Sequence, residues 1–432
     1  MANKAWGLWS WVTTLLAPRV APPQYSRLMA WLPRGSKSVR LPLRMMGPLK
    51  TLALVVTVYG GAAHTVIASE LEDCYSSDVA RSVAACTRII ENESSPAQER
   101  ADAFEVRGGR RLISKDYDGA LADFDALTQL KPRRSKAYEL RGMVRFLKGD
   151  AKHALSDLDS AIRLDPHNVS AYRNRGGTYF ALRDFRKALA DLTTAIRIKP
   201  RDAEAWKLRG SFYVSMLLQV DRGLADLNQA IRLKPDDADS YNNRGGAYFI
   251  KGMPERALAD FSEAVRLQPE DLATLTNRGY ANFVAGRFAG AAADLARVAA
   301  KGDAPFPALW RYLALRKAGQ EGDETLQRDT TGVSPDAWPS PIIELYVGHL
   351  SPKEVLAAAT TPESRCQANF YIGEWQLLHG KPSDGAKSLN RTKRSCSRKV
   401  REYIGARAEL RRLRMSHHTR QPHLRASAKT PS

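Results

Sequence analysis

The sequence predicts an all-α protein: a helix-turn-helix solenoid wound as a superhelix and closed by a helical C-terminal cap. Three observations predict it. A segment of 34 residues recurs, so that "YRNRGGTYF" at Tyr172 returns as "YNNRGGAYF" at Tyr241 and as "YELRGMVRF" at Tyr138. Each segment carries a glycine and, twelve residues later, or thirteen in the long fourth one, a small residue, as in Gly176 and Ala188. Five segments close on a proline: Pro132, Pro166, Pro200, Pro235 and Pro269. A recurrence at this period marks units that bury their apolar stripe only by stacking on neighbours.

The chain has 432 residues and a formal charge of +20. The excess sits at the ends. Residues 1–50 hold eight Lys/Arg and no acid, and residues 391–432 hold thirteen against Glu402 and Glu409. The middle is nearly neutral, so the charge alone does not read as a nucleic-acid surface. Residues 1–44 are rich in Trp, Pro and Arg and are expected to be disordered or to precede the true start, at Met45 or Met46. Residues 45–68 read as a signal peptide: Lys50, an apolar run from Leu52 to Tyr59, and small residues ending at Ala68. This places the mature protein in a bacterial periplasm or outside the cell. The alternative is a membrane anchor formed by an uncleaved 51–68. No lipobox cysteine follows, since Cys74 is preceded by "ELED".

Residues 69–100 read as an N-terminal capping region, with "SVAACTRIIENES" as the second helix of a degenerate unit. Six units follow, at 101–134, 135–168, 169–202, 203–237, 238–271 and 272–305. The fourth is one residue longer, in the turn between its helices. In each unit the first helix carries a large residue (Phe104, Tyr138, Tyr172, Trp206, Tyr241, Leu275) four places before the glycine. The second carries Phe124, Leu158, Leu192, Leu227, Phe261 or Leu295 four places after the small residue. Glycine facing alanine lets two antiparallel helices approach, and the large residues fill the gaps beside that contact. Proline stops the second helix.

This large–Gly–Tyr, Ala–Phe/Leu–Pro pattern resembles the tetratricopeptide repeat family over residues 101–303, Tyr179, Tyr213 and Tyr248 included. The sixth unit departs from it at Asn282 and at "AAKGD". Residues 306–413 read as further helices. Ser351 and Glu354 form a capping box, and residues 366–399 form a degenerate hairpin with Gly373 and Leu389 in the expected places. "LWRYLALRKAG", "PIIELYVGHLSPKEV" and "NFYIGEWQLLHG" are similar to the C-terminal part of NlpI-type bacterial envelope lipoproteins. That resemblance implies a scaffold for other envelope proteins, such as peptidoglycan hydrolases or a processing protease. Residues 414–432 read as a disordered basic tail.

The four cysteines make no CxxC and have no histidine at zinc-ligand spacing. They form two local pairs, Cys74 with Cys86 and Cys366 with Cys396, and an exported chain can hold both as disulfides. The second pair joins the start and end of one antiparallel hairpin.

The charged positions repeat as well. Arg107, Arg141, Arg175, Arg209, Arg244 and Arg278 each precede the packing glycine. Asp123, Asp157, Asp191, Asp226, Asp260 and Asp294 each precede the large residue of the second helix. Antiparallel geometry brings the two series together as structural ion pairs that set register. Family geometry then points to Lys136, Arg173, Asn174, Lys207, Asn242, Asn243 and Asn277 as the partner-binding residues of a concave face. That set is polar and mildly cationic, and suits an extended or acidic protein segment.

No HExxH, GxSxG or P-loop occurs, and the "RGG" triplets fall at helix positions. The sequence therefore predicts no catalytic residue, no metal site, no cofactor and no small-molecule substrate. It predicts a non-enzymatic protein–protein scaffold. The alternative is binding of an anionic polymer, membrane or nucleic acid through the basic C-terminal tail, although the tail lacks interleaved aromatics for base stacking.

Overall fold

Asp or Asn caps seven of the twelve repeat helices, and proline follows five of the six second helices. In this computed structural model, which describes residues 70–216, 218–301 and 304–426, every regular element is a helix. The expected signal peptide and N-terminal stretch lie outside the described residues. The chain divides after Pro200 into two compact units.

In the first unit, α1 (Val79–Glu91) leads to three hairpins. They are α2 (Ala97–Ile113) with α3 (Tyr117–Leu130), α4 (Ser135–Leu147) with α5 (Ala151–Leu164), and α6 (Val169–Ala181) with α7 (Phe185–Ile198). The first hairpin opens at Ala97, earlier than the repeat boundary at 101. Asp116, Asp150 and Asp184 accept backbone N–H bonds from Gly119, His153 and Lys187 at the starts of α3, α5 and α7. These second helices end two residues before Pro132, Pro166 and Pro200. The intervening Lys131, Asp165 and Lys199 take φ of −132°, −141° and −132°, the extended backbone that a following proline enforces. The Cys74–Cys86 disulfide ties a helical stretch over 70–74 to the middle of α1, with Cα atoms 4.7 Å apart, and α1 packs on α2 as a cap.

The second unit continues the pattern with α8 (Ala203–Ser215) and α9 (Val220–Leu233), α10 (Ala238–Lys251) and α11 (Pro254–Leu267), and α12 (Leu272–Val284) and α13 (Phe288–Ala299). The extra residue of the fourth repeat lies between Ser215 and Val220, where Leu218 adopts a left-handed φ of 52°. The glycine contact is closer than a glycine–alanine pairing implies. A Cβ on Gly176 would lie 3.2 Å from both the Ala188 carbonyl oxygen and Leu192 Cγ. On Gly245 it would lie 2.8 Å from the Phe261 ring. The glycine thus seats the large residue of the second helix as well as its backbone.

Beyond the repeats come α14 (Pro305–Lys317), three short helices α15 (Asp323–Asp329), α16 (Ser340–Tyr346) and α17 (Pro352–Ala358), a last hairpin α18 (Pro362–Leu378) with α19 (Pro382–Ser395), and α20 (Arg401–Ala426). The Ser351–Glu354 capping box starts α17. Gly373 meets Leu389 in the hairpin, and the Cys366–Cys396 disulfide joins its open end across a Cα separation of 5.2 Å. Helix α20 runs on to Ala426, where the sequence reading ended it at Leu413. The core here is aromatic: Trp310 stacks on Phe370 at 5.2 Å and meets Tyr280 and Phe283 edge-on or tilted at 4.9 and 4.8 Å. Gly405 of α20 is required for that packing, since a Cβ there would lie 2.9 Å from both Trp310 and Phe370.

Candidate partner-binding face

The charged series meets as one repeated motif. Arg107–Asp123, Arg141–Asp157 and Arg175–Asp191 pair in the first unit at 2.7, 2.7 and 2.8 Å. Arg209–Asp226, Arg244–Asp260 and Arg278–Asp294 pair in the second at 2.7, 2.6 and 2.5 Å. The aspartates are buried. In the third repeat the pair is bidentate, with Arg175 Nε and Nη2 each 2.8 Å from an Asp191 oxygen. The guanidinium also lies over the large residue three places before it, at 5.5 Å for Tyr172 and 5.0 Å for Trp206. The Asp191 hydrogen bond holds the Arg175 guanidinium well above its usual range, against the opposing effect of burial.

One partner of this motif escaped the sequence reading. Arg141 Nη1 donates to Asp125 at 2.9 Å, Arg175 Nη1 to Asp159 at 2.6 Å, and Arg244 Nη1 to Asn228 at 2.8 Å. Each acceptor lies on the preceding hairpin. The arginine therefore joins three helices, and fixes the spacing of neighbouring repeats as well as of one hairpin. The available signal was an acid or amide two places after the paired aspartate.

The predicted binding residues divide by position. In the first unit Lys136 keeps 44 % of its side chain exposed and donates to Glu139 at 2.9 Å. Arg173 and Asn174 are half-buried on α6. In the second unit the expectation of solvent-facing residues is corrected for Lys207 and Asn242, whereas Asn277 is half-buried like Arg173. Lys207 is only 7 % exposed. Its ammonium meets Glu204 at 2.9 Å, Asp237 at 3.3 Å and Asp239 at 3.6 Å. Burial alone depresses this ammonium, but the three carboxylates outweigh it and hold the group charged. Asn242 is buried and accepts from Asn277 at 3.0 Å, which links α10 to α12. Asn243 is half-buried. The reason is geometric: position 207 stands opposite the acid-rich N-terminus of α10, a relation that the period does not encode.

The end of the chain also covers this side of the second unit. Lys399 donates to the Ser215 carbonyl at the end of α8. Arg407 reaches Gly252 at the end of α10. Arg412 donates to the Phe283 and Val284 carbonyls at the end of α12, at 2.6 and 2.9 Å. Three basic side chains thus sit at three helix C-termini, where unpaired carbonyls favour positive charge. Ile404, Ala406 and Leu410 of α20 are buried in the core, so this helix is a structural lining.

A second buried charge cluster holds α20 down. Lys317 Nζ lies 3.0 Å from Glu374 and 3.1 Å from Glu409. The two partners respond in opposite senses: Lys317 is held charged, while burial and the neighbouring Glu409 push the Glu374 carboxyl up to about 7. The stoichiometry explains it, because one ammonium faces two carboxylates. Glu409 has Arg412 as well, whereas neither Glu374 oxygen makes a well-directed hydrogen bond. Among the described residues no cluster of His, Cys, Asp and Glu could hold a metal, and no helix is long and apolar enough to cross a membrane.

Residues 114–169, 145–211 and 238–271 match sequence profiles of the tetratricopeptide repeat. Similar solved structures include TTC0263, a thermophilic protein with these repeats from Thermus thermophilus (23 % identity, 42 % of this chain and 99 % of that one, TM-score 0.39). Others are PilW, a type IV pilus biogenesis factor (19 %, 46 % and 98 %, TM-score 0.42), and YrrB, described as having an unusual peptide-binding site (24 %, 44 % and 95 %, TM-score 0.33). Comparison with curated proteins gave no match.

Proposed function

We propose that this tetratricopeptide repeat protein is a non-enzymatic adaptor of the bacterial cell envelope. Proteins built from such repeats generally serve as interaction scaffolds, and in this one an extended segment of a partner protein lies along the first helices of the first unit. One observation carries the reading. Lys136, Arg173 and Asn174 keep solvent access on α4 and α6, whereas Lys207 and Asn242 are buried in internal contacts. An envelope location agrees with the two disulfides, which persist in oxidising compartments, and with the apolar segment before Ala68.

The test is in-cell crosslinking from a photoreactive residue placed at Lys136 or Asn174, followed by identification of the captured protein. A single envelope protein should crosslink from both positions, and Arg173→Glu should reduce its capture. Capture from Lys207 or Asn242 instead, or indifference to Arg173→Glu, overturns the reading.

A further inference from the structure

Three of the second helices of the repeats share a device at their outer ends. The last-turn arginine is engaged by the residue three places before it. Arg163 donates to Ser160 at 2.8 Å, Arg232 to Gln229 at 3.0 Å, and Arg266 to Glu263 at 2.6 Å. Helix α19 occupies the same place in the last hairpin, with Arg394 as its last-turn arginine. The residue three before it is Arg391. Like charges at that spacing repel and cost helix stability, so α19 carries a local disadvantage that its relatives avoid.

The arrangement extends further. Residues 385–401 hold Lys387, Arg391, Lys393, Arg394, Arg398, Lys399 and Arg401, with no acid among them. Some of these cations face inward. Lys399 donates to the Ser215 carbonyl, and Arg401 lies over the Tyr280 and Phe306 rings and beside Glu402. Lys387, Arg391, Arg394 and Arg398 are exposed. Spacing of four and three places Lys387, Arg391 and Arg394 on one side of α19, and Arg398 follows in the turn after it. Lys387 has only the exposed Asp384 beside it. Where Lys387 stands, the repeats carry Ser156, Ala190, Ala225 and Ala259.

We propose that this cationic outer face of α19 is a docking surface for an acidic protein segment. Charge complementarity sets the class of ligand. The exposed residues between the cations are Asn390, Ser395 and Ser397. With no apolar or aromatic side chain among them, the face has nothing to insert into a bilayer and nothing to stack on a base. Carboxylates spaced along a helix or strand match these exposed guanidinium groups, each able to take a carboxylate in bidentate fashion. The proposal rests on the adaptor reading only in taking the partner to be a protein, and it uses different residues from those on α4 and α6.

The experiment is fluorescence anisotropy of a labelled decaglutamate peptide with the full chain at low salt. The triple variant R391E/R394E/R398E should bind about tenfold more weakly, and wild-type binding should weaken as salt rises. Circular dichroism should be unchanged, because all three side chains are exposed. The control R163E/R232E/R266E alters net charge equally and should bind within about twofold of wild type. Arg173→Glu should leave peptide binding intact even where it abolishes partner capture. Equal losses in both triple variants, or none in the first, overturn the proposal. So does tighter binding of phosphatidylglycerol vesicles or of a thymidine oligonucleotide that depends on the same three arginines.

Discussion

Arg175 lies between α6 and α7, held by Asp191 and Asp159, and equivalent arginines recur through the repeats. In the last hairpin the same two places hold Ile372 and Ser388. There the neighbouring core is Trp310, Phe370 and Tyr371, all fully buried. The difference teaches what each kind of contact is for. A repeat must stack at one fixed offset on two similar neighbours, and apolar stripes alone tolerate sliding. A bidentate pair with a third acceptor does not. The last hairpin instead receives unlike elements, α14 and α20, whose shapes already specify their positions.

The comparison can be broken at its apolar end first. Trp310→Ala should cost about 3–5 kcal/mol in denaturant unfolding, because it empties the centre of the aromatic cluster. A loss below about 1 kcal/mol would show that the C-terminal core does not depend on that ring.

The repeat side is sharpened by a double-mutant cycle. Arg175→Met leaves Asp191 buried without its cation and should cost about 3 kcal/mol, whereas adding Asp191→Leu should restore much of it. Additive losses would mean that the pair is not a coupled strut.

Buried charge in the C-terminal region predicts a pH dependence. Glu374 has an ordinary value of 4.5 and is pushed up to about 7 in the folded chain. Between those limits the folded protein keeps a proton that the unfolded chain has released. Stability should therefore fall as pH rises from about 4.5 to 7. Urea midpoints across that range should show the slope, and Glu374→Gln should flatten it.

The smallest effect separates two glycines. Gly109 on α2 has open space where a Cβ would go, so Gly109→Ala should stabilise by about 0.5–1 kcal/mol through helix propensity. Gly245→Ala meets the Phe261 ring and should destabilise. Thermal melts of the two variants should move in opposite directions.

Much of the fold was legible because its causes are local. The prolines that stop the second helices and the glycine–alanine spacing both act within one hairpin. So does the Arg–Asp pairing, which spans sixteen residues from Arg175 to Asp191 and recurs with the repeat. The candidate face was less legible. Arg173 and Lys207 hold the same place in successive repeats, yet Lys207 is enclosed by Glu204, Asp237 and Asp239. Periodicity names a position without saying what stands opposite it.

The sequence by itself determined the helices, the hairpins and the residues that pair inside them, because backbone preferences and short-range spacing control those contacts. Only the tertiary structure decided which polar positions stay open, and it did so through contacts with no period. Arg412 reaches back to Phe283, Lys399 to Ser215, and Lys317 gathers Glu374 and Glu409 from two other helices. Such contacts join segments far apart in the chain, and the packing of whole helices alone brings them together.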